Sequence, residues 1–181
     1  MLLYSKEVNL NSSAKDFKLK GVDNKFYCLD DFKDFKILVI VFMCNHCPYV
    51  KAVINRLIDL QEKFLQKSVR FVGINPNDEI NYPEDSFENM KLFYRNYNMN
   101  FPYLRDETQE VAKLYDAVCT PDIYVYDSDR KLKYRGRIDD NWKDESQVKN
   151  RELEKAIILL LEGKEIDFQQ NPSMGCSIKW K

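Results

Sequence analysis

The run Ile37-Leu-Val-Ile-Val-Phe42 has six apolar residues in a row, four of them β-branched. A strand with one wet face alternates apolar and polar residues. An unalternating run of this length needs cover on both sides, as in the middle of a mostly parallel sheet with helices packed above and below. The next residues narrow the choice. After Met43 come Cys44-Asn-His-Cys47 and Pro48, and then Val50, Val53, Ile54, Leu57, Leu60, Phe64 and Leu65 recur at helical spacing, interrupted only by Gln61. The order is buried strand, CxxC, amphipathic helix.

The rest of the chain supplies layers for such a sheet. Phe17-Lys-Leu19 and Lys25-Phe-Tyr-Cys28 read as two short strands around the turn at Gly21–Asn24. Val69–Ile74 reads as a second buried strand, leading into the long polar connection NPNDEINYPED. Asp85 with Glu88, and Asp106 with Gln109, carry the spacing of a helix N-cap answered three residues later. Ile123–Tyr126 and Leu132–Tyr134 read as a strand pair, and a last helix is expected from Gln147 to Glu162 with Gly163 as its stop. With no repeat and no Gly/Ser/Pro-rich linker, the expectation is one α/β domain over 1–181 with one central mixed sheet. Residues 1–14 read as a tail and 164–181 as a C-terminal extension.

Composition excludes several function classes. The 181 residues hold 28 basic and 29 acidic side chains, so no global field points to nucleic acid or an anionic membrane. The longest apolar run is far too short to span a bilayer, and the N-terminus lacks a basic start leading into a long apolar stretch. Five cysteines in a chain of this length do not make a secreted disulfide framework. A reducing, cytoplasmic setting is expected, where a close pair is catalytic or metal-binding.

Cys44 and Cys47 are the expected catalytic residues. A thiol at a helix N-terminus faces free backbone N–H groups and the positive end of the helix dipole. These lower its pKa below the free value of roughly 8.5. Cys44 is accordingly expected as the ionised nucleophile and Cys47, one turn further in, as the protonated resolving thiol. Pro48 is tolerated in a first helical turn and marks its start. His46, the chain's only histidine, lies beside the second thiol, with Asn45 before it. Its charge or hydrogen bond would favour the reduced pair and move the couple to the oxidising side of thioredoxin's roughly −270 mV.

These residues resemble a family. VFMCNHCPYVK, the later CTPDIYVYD and YRGRIDD, and the terminal GCSIKWK are together similar to the peroxiredoxin-like (redoxin) group of thioredoxin-fold proteins, the alkyl hydroperoxide reductase–thiol-specific antioxidant group. DFKLKGVDNKFYCLDDF resembles the group's N-terminal hairpin. The resemblance implies a thioredoxin-like fold, with the long connection as an insertion after the second core strand. It also implies a cis-proline at Thr120-Pro121 facing the cysteines and binding a substrate backbone as an added strand. Two departures stand out. The peroxiredoxin pattern Pro-x-x-x-Thr/Ser-x-x-Cys fails in both registers, placing Ile40 and Cys44 before Cys47, or Ile37 and Val41 before Cys44. Thioredoxins also keep a buried acid in the strand before the motif, and ILVIVF has none, which leaves His46, water, Asp139 or Asp140 to handle protons.

The leading expectation is a thiol–disulfide oxidoreductase in redox homeostasis that needs no cofactor. It would act on a disulfide or oxidised thiol and be restored by a partner reductase. A peroxiredoxin-like thiol peroxidase is the alternative. A metal carrier built from Cys44, Cys47, Cys119 and Cys176 is the third reading, weakened by the lack of a second CxxC pair. Cys119, beside the proline, and Cys176, in the tail, are possible accessory thiols. Packing is the expected role of Cys119, and no catalytic part is expected for the tail thiol. Cys28 is expected to be structural.

Overall fold

The structure, a computed structural model, describes residues 1–6 and 9–181. Ten strands and four α-helices succeed one another as β1 (Leu2–Tyr4), β2 (Lys18–Gly21), β3 (Phe26–Cys28), β4 (Ile37–Phe42), α1 (Pro48–Leu65), β5 (Val69–Asn75), α2 (Phe87–Asn96), β6 (Tyr103–Arg105), α3 (Glu110–Leu114), β7 (Cys119–Thr120), β8 (Asp122–Tyr126), β9 (Leu132–Gly136), α4 (Glu152–Leu161) and β10 (Met174–Ser177). Seven strands form the main sheet in the order β3-β2-β6-β5-β4-β8-β9. The β4–β5 and β5–β6 pairs are parallel and the others antiparallel, which makes the sheet mixed.

β4 is central and buried on both faces, as its composition requires. Ile37, Val39 and Val41 face the layer containing α1, α2 and α4. Leu38, Ile40 and Phe42 face the opposite core with Phe17, Leu19, Phe32, Val111 and Tyr115. The period-2 alternation of a strand feeds two cores at once. α1 buries Val50, Val53, Ile54, Leu57, Leu60 and Phe64. Gln61 is buried too. Its amide donates to the Val69 carbonyl at 3.2 Å and accepts the Phe71 N–H at 2.7 Å, pinning the start of β5 beside the helix.

Several expectations are corrected. Ser86, not Asp85, caps α2 and accepts the Asn89 N–H at 3.4 Å, which frees the Asp85 carboxylate for other partners. Asp106 does not form a box with Gln109; its carboxylate accepts the Ala112 N–H, and α3 starts after Gln109 in the left-handed region. The last helix begins at Glu152, because Glu145–Gln147 forms a separate 3-10 turn closed by Asp144. α4 then ends as expected before Gly163, whose φ of +70° suits glycine. The first residues, expected as a tail, supply β1. It pairs with β10 from the C-terminal extension, and β10 pairs with β7, giving a second sheet in the order β1-β10-β7.

Candidate active site

Met43 donates its N–H to the Ile74 carbonyl at 2.9 Å, and beyond it the chain leaves the sheet. Cys44, Asn45 and His46 form the bend, and Cys47 is the N-cap of α1 with Pro48 as the first helical residue. The helix N-terminus therefore belongs to Cys47 and not, as expected, to Cys44. All five cysteines are free thiols, and Cys44 and Cys47 are fully buried.

Thr120 stands over the pair. The Thr120-Pro121 bond is cis, as the resemblance implied. The Thr120 hydroxyl lies 3.3 Å from Cys44 Sγ, and the Cys47 thiol donates to the Thr120 carbonyl at 3.1 Å. One residue of the opposite loop thus touches both sulfurs.

The lower pKa falls on Cys47, where Cys44 was expected to be the ionised thiol. Burial pushes the Cys44 thiol up, and the nearby Cys47 and Asp85 charges add to this against the Thr120 hydroxyl. Cys47 falls to about 5. The Cys44 thiol donating toward it is the largest cause, acting against burial, and the Val50 N–H and the thiol and N–H of Cys176 add to it. The Val50 N–H is oriented to the sulfur without closing a full cap hydrogen bond. With both thiols protonated Cys47 donates to the Thr120 carbonyl; when the pair loses one proton the two sulfurs share the other, and the anion favours Cys47.

The acid that ILVIVF lacks arrives from the long connection. Asp85, fully buried, accepts the Asn45 N–H at 2.7 Å and the Asn77 side-chain amide at 2.7 Å, and pairs with His46 Nδ1 at 2.6 Å. Burial raises its carboxyl, but the hydrogen bonds from His46 and Asn77, the His46 charge and the Asn45 N–H outweigh that and hold it below its ordinary value. The hydrogen bond to Asp85 in turn raises His46, whose side chain is 24% exposed and stacks on Tyr82. Asn45 ties the bend further, donating to the Glu84 carbonyl at 2.9 Å and accepting the Tyr103 hydroxyl at 2.9 Å. Because Asp85 sits beside Cys44 as well, its negative charge offsets the imidazolium at that sulfur. The His46 charge also couples to Cys47, each favouring the ionised form of the other.

Asp139 and Asp140 are not the missing acid. Asp139 pairs with the buried Arg56, which also donates to the Asn141 and Trp142 carbonyls. Asp140 accepts the Lys149 and Asn150 N–H groups. Cys28 lies at the start of a 3-10 turn and donates its N–H to Asp31, a structural position. Cys119 is buried, with its thiol pushed up by that burial and aimed at the Pro121 carbonyl. Cys176 is opposite Thr120 in the β7–β10 register, so it belongs to the site and not to a loose tail. That pairing also fills the edge where the resemblance implied an added substrate strand.

Among the described residues, the one group with potential metal ligands at mutual reach is Cys44, His46 and Asp85, whose ligand atoms lie within 4.8 Å of one another. Its carboxylate oxygens are already taken by Asn45, His46 and Asn77. Cys44, Cys47, Cys119 and Cys176 do not gather as a ligand set there. A cleft of about 490 Å³ opens beside the site, lined by Tyr49, Val53, Pro121, Trp142 and Met174.

The model of the AhpC/TSA family matches residues 10–135, more than half of the chain. The chain belongs to the AhpC/TSA family. Its fold is nearly that of an uncharacterized conserved protein from Geobacillus kaustophilus, 46% identical over 100% of this chain and 97% of the other, with a TM-score of 0.95. A hypothetical protein from Sinorhizobium meliloti is 35% identical over 98% of each chain, with a TM-score of 0.94. The thiol-disulfide oxidoreductase ResA of Bacillus cereus is 24% identical over 71% of each chain. The peroxidoxin BcpB of Mycobacterium tuberculosis shares the fold at 17% identity, covering 86% of this chain and 96% of that one, with a TM-score of 0.61. In this AhpC/TSA chain a hydroxyl near the first sulfur comes from Thr120, not from the residue three before a cysteine. No helix of the described residues is long and apolar enough to cross a membrane.

Proposed function

We propose that the protein is a thiol–disulfide oxidoreductase in which Cys44 attacks and Cys47 resolves. The observation that carries this reading is Thr120 of the cis-proline loop in contact with both sulfurs of a free, proton-sharing CxxC pair. The Cys44 proton passes to Cys47, and the Cys44 thiolate attacks one sulfur of a substrate disulfide. A mixed disulfide forms and the first substrate thiolate leaves, taking a proton from the His46 imidazolium. Cys47 then attacks Cys44 Sγ, its proton passing to the departing second substrate sulfur. The Cys44–Cys47 disulfide forms and the second substrate thiol departs. One substrate disulfide becomes two thiols, and an external thiol reductant in a reducing, cytoplasmic setting restores the pair.

The substrate class is a small disulfide, not an extended polypeptide. A polypeptide can add to the Thr120 edge only by displacing β10, which already pairs there. The cleft beside Pro121 is open to a small molecule. The Thr120 hydroxyl at Cys44 supports a second reading, a thiol peroxidase, since a hydroperoxide is small and its oxygen needs a polar neighbour. In that reading Cys44 attacks the O–O bond to give a sulfenic acid and an alcohol or water. Cys47 then condenses with the sulfenic acid and releases water.

Stopped-flow mixing of the reduced protein with oxidised glutathione, and separately with hydrogen peroxide, tests both. The expected result is exchange with the disulfide at least about tenfold faster than free cysteine shows at the same pH, ending in an intramolecular disulfide. Exchange no faster than free cysteine, with rapid peroxide consumption, overturns the first reading for the second.

A further inference from the structure

The sulfurs of the CxxC pair have no solvent exposure, yet a redox couple must exchange with molecules in solution. The partly exposed thiol that faces Cys47 is Cys176. It is only partly buried and packs against the core cluster that contains Cys44 and Cys47. In the antiparallel pairing of β10 with β7 it stands directly opposite Thr120, the residue whose carbonyl accepts the Cys47 S–H hydrogen bond at 3.1 Å.

The strand that carries Cys176 is held close and from two sides. A Cβ on Gly175 would sit 1.9 Å from the Thr120 carbonyl oxygen, so only glycine lets the two backbones approach this far. β1 closes the other edge of β10. Beyond the strand, the Lys179 N–H donates to Asn77 at 2.9 Å, and Asn77 also bonds Asp85. The C-terminal extension is thus fastened both to the cis-proline loop and to the segment that supplies the acid.

We infer that Cys176 is a third redox-active thiol, which opens the buried Cys44–Cys47 disulfide and carries it outward as Cys47–Cys176. This rests on the CxxC pair being the redox couple proposed above. The Cys176 thiolate attacks Cys47 Sγ, a Cys47–Cys176 bond forms, and the Cys44–Cys47 bond breaks. The electron pair leaves on Cys44 Sγ, where the Thr120 hydroxyl can donate and the proton given up by Cys176 is taken in turn. The step exchanges one disulfide for another with no net oxidation. A small-molecule thiol then attacks Cys176 Sγ at the surface, and Cys47 leaves as the thiolate it is built to hold. A second such thiol resolves the mixed disulfide, leaving three protein thiols and one small-molecule disulfide.

In the reduced protein the Cys176 thiol is pushed up to about 11, first by burial and then by facing Cys47. The second cause vanishes once Cys47 is in a disulfide, so the group becomes more acidic in the state where it must attack.

Two full-length variants test this. Oxidised Cys44→Ser protein, made by equilibration with oxidised glutathione, is expected to contain a Cys47–Cys176 crosslink in peptide mass spectrometry after alkylation. Oxidised Cys176→Ser protein should still form the Cys44–Cys47 disulfide, but glutathione should reduce it at least about tenfold more slowly than in wild type, because the accessible sulfur is gone. A Cys44→Ser protein with no crosslink and a Cys176→Ser disulfide reduced at the wild-type rate would overturn the inference while leaving the CxxC couple standing. Failure of the wild type to form any Cys44–Cys47 disulfide removes the couple itself and is read separately.

Discussion

The segment from Ile37 to Leu65 and the shell around it reach the same two sulfurs by opposite means. β4, the bend and α1 deliver Cys44 and Cys47 within one short stretch of chain, held by a two-faced strand and a six-residue apolar stripe. The groups that set the state of those sulfurs come from elsewhere. Thr120 is 76 residues away from Cys44, and Asp85 is 39 residues away from His46. Cys176 comes from a strand near the C-terminus. The capacity for dithiol chemistry is thus local, whereas proton placement and access are tertiary. Changes in the first region should abolish the chemistry, and changes in the second should retune it.

Cys44→Ser or Cys47→Ser strikes that division hardest. Either should slow the single-turnover release of glutathione from oxidised glutathione at least about tenfold, because Cys47→Ser removes the sulfur common to both proposed disulfides and Cys44→Ser removes the attacking thiol and leaves only the Cys47–Cys176 pair. Substantial turnover in both variants would mean that the chemistry does not live in the local segment.

Gly175→Val acts on the shell alone. Its side chain has no room against the Thr120 carbonyl, so β10 must shift or leave. Overpacking of this kind costs roughly 1–3 kcal/mol, which for a chain of this size lowers Tm by roughly 2–12 °C. With the cover loosened, native-state iodoacetamide labelling of Cys44 and Cys47 should speed up, read by peptide mass spectrometry. Unchanged labelling would show that β10 does not limit access.

Legibility in the sequence divides along the same line. ILVIVF, the stripe from Val50 to Phe64 and the turn glycine at position 163 announce themselves because their physics is set by neighbours within a few residues. Asp85 did not. Asp85 and Glu88 fit the spacing of a helix cap, and only the fold shows that Ser86 takes the cap while Asp85 turns inward to His46. The ionisation of the pair differs from expectation for a related reason, since α1 is capped three residues later than expected, at Cys47, and the Cys44 thiol is directed at that sulfur. Leu2–Tyr4 carries no turn or partner nearby, so its pairing with Met174–Cys176 was invisible along the chain. Buried Asn45 and Asn77, both bonded to Asp85, were the available signal for a polar site there.

The smallest expected effect is on pH dependence. His46 is raised in the folded protein, so its stabilisation is complete below its unfolded pKa of roughly 6.5 and fades as pH rises through the folded value. Asp85 is lowered, so its stabilisation is complete above its unfolded pKa of roughly 3.9 and fades as pH falls through the folded value. The pair contributes most between those limits. Asp85→Asn should flatten this part of the urea-midpoint profile and shift the His46 ring titration, tracked by NMR, to lower pH. A ring titration unmoved by the substitution would rule out the dyad.

Whether Cys44 and Cys47 form one reversible couple is decided by a redox titration of the full-length protein in glutathione buffers of stepped ratio, quenched with acid, alkylated and read on the peptide carrying both residues. The expected record is one transition in which both thiols of that peptide vanish together, with the two-electron dependence of about 30 mV per decade. Two thiols that stay alkylatable across the whole range, or that stop at a glutathione adduct without closing on each other, would refute it.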